Sequence, residues 1–60
     1  MTITEFKPGD RIEMHPATDM WMRGARYATV TSIGHKLLRV HLDATNRIVY
    51  VSPRNVGRIL

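Results

Sequence analysis

The sequence predicts a single all-β domain, residues 1–60, with five short strands curled into a small barrel and a 3₁₀ turn before the last strand. Three observations lead there. No stretch of about twelve residues carries a helical period; the apolar residues come in short alternating runs broken by glycine, proline and asparagine. A 60-residue chain is one domain at most, and such a chain buries only about 60% of its unfolded surface. It has no cysteine, so neither disulfides nor a thiolate metal site can hold it together. Closing a small sheet on itself removes its vulnerable edges and lets one apolar face cover itself.

The elements follow in chain order. Residues 1–8 are expected to be a flexible N-terminal segment, ending in the turn "KPGD" at 7–10. "RIEMH" puts Ile12 and Met14 on one face and Arg11, Glu13 and His15 on the other, the alternation of a half-buried strand. Pro16 ends it, because proline has no N–H to give to a ladder. "PATDMWMRG" reads as a loop. "ARYATVTSI" is rich in β-branched and aromatic residues and makes the second strand. "GHK" turns the chain. In the third strand, "LLRVHLD", Leu38, Val40 and Leu42 point inward, and Leu37, Arg39, His41 and Asp43 point outward. "ATN" is the next turn, without the Asn-Gly pair that fixes a tight hairpin, and "RIVYV" is the fourth strand. "SPRNV" combines a capping serine with a proline at the first helical position, which suits a single 3₁₀ turn. "GRIL" is the last strand.

Nine Lys and Arg face five Asp and Glu, for a formal charge of +4. The excess is uneven. Residues 20–60 hold seven basic side chains against Asp43 alone, a local net of +6. Seven of the nine cations are arginine, whose planar fork matches phosphate and carboxylate. That distribution points to a polyanionic partner.

The order "F-x-x-G-D-R-I", "W-x-R-G…A-T-V-T-S-I-G", "L-R-V-H-L-D" and "I-V-Y-V-S-P-R-N-V-G-R-I" resembles an SH3-like small barrel from Phe6 to Ile59. The group includes Tudor, KOW and peptide-binding SH3 domains. Ala28, Val30, Ile33, Val40, Leu42, Asp43 and Asn46 resemble the Tudor pattern. The cage aromatics of that family fall here on Leu42 and Ala44, so the resemblance does not extend to a methyl-mark cage. "RGARYATVTSIG" is loosely similar to the KOW core, which implies RNA or DNA as partner. Peptide-binding SH3 domains carry an acidic loop, where this chain has only Asp19 between residues 15 and 24. The chain is also distantly similar to the plasmid-borne type II dihydrofolate reductase, an SH3-like tetramer with an active site in its central pore. The pore stretch of that enzyme falls on Ile48, Val49, Tyr50 and Val51. Valine replaces both its glutamine and its tyrosine, and valine cannot hydrogen-bond a folate or a nicotinamide amide.

His15, His35 and His41 fit no zinc spacing. Neither Ser32 nor Ser52 has the surroundings of a nucleophile elbow, and there is no glycine-rich phosphate loop. No catalytic residue, metal or cofactor is expected, and the chain is read as non-enzymatic. It has no apolar run long enough for a signal peptide or a membrane span. A cytoplasmic protein without a membrane partner is expected.

Two binding surfaces are expected instead. Arg26, Lys36 and Arg39 form one stripe on the hairpin of the second and third strands, extended by Arg23 and Arg47, with Trp21 and Tyr27 as stacking platforms for RNA or DNA. The fourth strand is apolar on both faces, where a half-exposed strand has one polar face. Val49 and Val51, with Leu37, Met20 and Met22, are therefore expected to meet a protein partner or a second copy.

Overall fold

The computed structural model describes residues 2–60, apart from the side chain of Met20. Five strands form one antiparallel sheet: β1 (Arg11–Met14), β2 (Tyr27–Ile33), β3 (Leu38–Leu42), β4 (Ile48–Val51) and β5 (Val56–Ile59). Their order across the sheet is β4-β3-β2-β1-β5. The all-β reading and the 3₁₀ turn at Pro53–Asn55 before β5 hold. Pro53 supplies the preset φ that starts this turn, while the Ser52 side chain makes no capping hydrogen bond, contrary to expectation.

β4 and β5 are the two edges and do not pair with each other, so the hydrogen-bonded sheet is open where closure was expected. The chain leaves β4 through the 3₁₀ turn, whose Asn55 carbonyl accepts from the His15 N–H just beyond β1. That link carries β5 around to β1. The register of β1 with β5 shifts between Glu13 and Met14, and that of β2 with β3 shifts between Val30 and Ser32. Such bulges bend and twist strands.

The core lies on one face of the sheet. Ile12, Met14, Ala28, Val30, Leu38, Val40, Leu42, Val51 and Val56 are buried, and Phe6 and Ala25 complete the cluster. Ile3, Ile33, Val49 and Ile59 pack against this cluster. The alternation read from the sequence in β1 and β3 is the alternation observed.

Two local readings change. The segment before β2 contains one helical turn, α1 (Asp19–Met22), where a loop was expected. Its cause is local: the Thr18 hydroxyl accepts from the Trp21 N–H at 3.3 Å and caps the turn. Gly24, at φ +87°, then ends it in a left-handed conformation that a side chain would strain. The N-terminal segment carries a 3₁₀ turn, Ile3–Glu5. Phe6 is buried in the core, and Ile3 packs against it. The Glu5 carboxylate accepts from the Thr2 N–H and hydroxyl, both at 3.1 Å. These bonds favour its charged form and hold its pKa below the ordinary carboxylate value.

Candidate nucleic-acid interface

The outer face of the sheet carries the charges. Arg11 forks onto Asp43, with 3.2 Å to Oδ1, and also donates to the Thr29 hydroxyl. Arg58 pairs with Glu13 at 2.8 Å. The exposed Arg11–Asp43 pair contributes at most about 1 kcal/mol, and Glu13 is the more buried member of the other pair; together they decide which cations remain available. Among the described residues, neither Lys36 nor Arg39 has an acidic partner.

Lys36 and Arg39 lie at the tip of the β2–β3 hairpin, where Gly34 N–H donates to the Leu37 carbonyl and turns the chain. Arg39 stands directly opposite Tyr50 on β4. Together with Ser32, Ile33, His35 and Leu37, these side chains line an open groove of ≈ 450 Å³. No acidic residue lines it. Tyr50 is 66% exposed and Leu37 45%, so both present apolar surface to solvent beside the two cations.

A second groove of ≈ 540 Å³ lies on the other side of the Leu37–Tyr50 ridge. The α1 segment contributes Ala17, Thr18 and Asp19 to it, and the 3₁₀ turn contributes Asn55. Asp19 is its one charged lining residue. The charged lining is therefore positive in the first groove and negative in the second.

The expected stripe is divided. Arg26 precedes β2, with its carbonyl accepting from Met14 N–H, whereas Lys36 lies beyond the other end of that seven-residue strand. The Arg26 guanidinium is already placed, 4.7 Å over the Trp21 ring centroid. Arg23 follows α1, and Arg47 lies in the β3–β4 turn, its carbonyl accepting from Leu42 N–H at 2.7 Å. Tyr27 opens β2 opposite Glu13. None of Arg23, Arg26, Arg47, Trp21 and Tyr27 lines either groove; Lys36 and Arg39 share the first one, and Arg26 meets Trp21 away from it.

The apolar surface also differs from expectation. Val51 is 4% exposed and Val49 packs against the core, so neither forms the outward face of β4. The register with β3 explains why: Val49 pairs with Val40 and Val51 with Leu38, both inward residues. Ile48 and Tyr50 take the outer face instead, with Ile48 49% exposed. Leu37 and Met22 are exposed as expected, and Met20 lies outside the described side chains.

Ser32, Ile33, Gly34, His35 and Tyr50 are groove residues outside the surfaces expected from sequence. "IVYV" is apolar throughout, so nothing in it points Tyr50 outward; only the β3–β4 register does. No helix among the described residues is long and apolar enough to cross a membrane. The chain matches no protein-family model, no curated protein and no solved structure.

Trp21→Ala tests the separation of the two regions. Half-burial of the ring and its contact with Arg26 together contribute about 1–2 kcal/mol. The variant should lose roughly that in chemical denaturation while keeping any affinity for nucleic acid. Loss of binding at unchanged stability would instead put Trp21 in the contact surface.

Proposed function

We propose that this chain is a non-enzymatic, SH3-like small-barrel module of the cytoplasm that binds single-stranded RNA or DNA. The strand order, the register shifts that bend the sheet and the 3₁₀ turn before β5 support the barrel reading. One observation carries the binding reading: an exposed tyrosine stands across from an unpaired arginine, in a groove that adds a lysine and holds no acid.

The physical basis is a division of labour. Lys36 and Arg39 attract and hold backbone phosphates. Tyr50 offers a ring on which a base stacks, a contact of about 1–3 kcal/mol that tolerates any base. Leu37 gives the flanking base an apolar wall. A duplex hides its base faces, so single strands are favoured over double-stranded nucleic acid.

Fluorescence anisotropy with labelled oligo-dT and oligo-U across a salt series checks this reading. Two phosphate contacts predict a slope of log affinity against log salt of about −1.4 for a single strand. Absence of binding at low salt would end the proposal.

A further inference from the structure

We infer that two copies of this chain pair edge to edge through β4, antiparallel and centred on Val49. The ladder pattern selects this edge. Leu42 N–H donates to the Arg47 carbonyl at 2.7 Å, which makes 42 and 47 a hydrogen-bonded pair. Antiparallel ladders alternate, so Val40–Val49 and Leu38–Val51 take the same role along the β3–β4 register. Ile48 and Tyr50 then turn their N–H and C=O groups away from β3. β4 is the last strand of the sheet, and among the described residues nothing pairs with it on that side.

Two outward residues spaced by one are self-complementary. A two-fold axis at Val49 puts Ile48 opposite the second copy's Tyr50, and Tyr50 opposite the second copy's Ile48. Each such pair exchanges both of its hydrogen bonds. On the outer face, each exposed isoleucine lies across from an exposed tyrosine, an aliphatic–aromatic cross-strand contact. β4 carries no charged residue. The flanking Arg47 falls opposite the second copy's Val51, so the pairing brings no like charges together.

The other edge is built differently. β5 carries Gly57, the charged Arg58 and the register shift against Glu13 and Met14. Charges and bulges blunt an edge against further pairing. An edge that accepts a strand beside one that resists it leads to a closed dimer and not to a ring or a filament. The short strand and the small size of the domain make this a concentration-dependent association.

This inference does not need the nucleic-acid reading, but it bears on it. Pairing aligns Arg39 and Tyr50 of one copy with Ile48 and His41 of the other across the outer face. The Lys36–Arg39 groove of each copy then lies on one continuous surface, and a longer strand gains affinity by spanning the two copies.

Sedimentation equilibrium from micromolar to millimolar protein tests the pairing. The apparent mass should rise from 6.9 kDa towards twice that value. Ile48→Lys, at an exposed position, should weaken dimerisation at least tenfold with unchanged near-ultraviolet circular dichroism. The chain is short enough for chemical synthesis, and N-methylation of the Ile48 amide removes a single edge donor without touching the β3 ladder. That variant should be monomeric too, and in the unmodified protein the Ile48 and Tyr50 amides should exchange more slowly as concentration rises. A strict monomer at millimolar concentration, a mass beyond the dimer, or a dimer that survives N-methylation overturns the inference.

Discussion

Leu38→Ala should destabilise the fold by about 2–5 kcal/mol, a large share of what a chain this short has, whereas Leu37→Ala, one residue earlier, should change stability by less than about 0.5 kcal/mol. The contrast follows from the pleat. Leu38 is 0% exposed, fixed between Ile33 of β2 and Val51 of β4. Removing its branched end from a packed core costs about 2–5 kcal/mol, through lost transfer energy and the cavity left behind. A chain of this length has roughly 3–9 kcal/mol in total, at the usual stability per residue. Without a disulfide, nothing covalent restrains the unfolded chain to offset that loss. Leu37 lies on the ridge between the grooves, where truncation exposes no core. Urea unfolding followed by Trp21 fluorescence measures both variants. Equal losses for the two leucines would overturn the assignment of faces in β3, and with it the position of the groove.

The success of that assignment from sequence depends on what each strand offered. In β1 and β3, Ile12, Met14, Leu38, Val40 and Leu42 alternate with charged or polar residues, so the inward face is legible without a structure. In β4 every residue is apolar, and alternation carries no information about direction. Only the β3 register decides it, and the β3–β4 turn sets that register. The turn uses Asn46 at φ +58° to reverse the chain, a left-handed position that asparagine tolerates. A sequence without an Asn-Gly pair does not announce it. The error at Val49 and Val51, and the omission of Tyr50 from the site, have this one cause.

The helical turn at Asp19–Met22 was hidden for another reason. A helix of four residues is too short to show periodicity, and its only signals are the Thr18 cap and the acidic residue after it. Its consequence is functional as well as local. The turn holds Trp21 under Arg26 and puts Asp19 at the second groove, which makes the Leu37–Tyr50 ridge a boundary between surfaces of different charge. The charge excess in residues 20–60 was legible as a number. Its spatial division was not, because Asp43 and Glu13 neutralise Arg11 and Arg58 across strands.

Tyr50→Ala should weaken oligonucleotide binding by about 1–3 kcal/mol, roughly 5- to 150-fold, at nearly unchanged stability. The ring is mostly exposed, so its loss leaves the core intact. The salt dependence must distinguish its role from that of its neighbours. A stacked base releases no counterion, so Tyr50→Ala lowers affinity and keeps the slope. Arg39→Ala removes a phosphate contact, so it lowers affinity and makes the slope shallower by about 0.7. Tyr50→Phe retains the stacking surface and should bind like the parent protein. Because Ile48→Lys blocks the inferred pairing and adds a cation, a monomeric background for these measurements is better supplied by the N-methylated chain. There, Tyr50→Ala acting on a single groove must still show the same fold-loss on an oligonucleotide short enough to occupy one site. If Tyr50→Ala and Arg39→Ala both bind as the parent does, the groove is not the contact surface, whatever the net charge of the domain. If Arg39→Ala alone weakens binding, phosphate attraction suffices without stacking, and the preference for single strands over duplex should vanish with it.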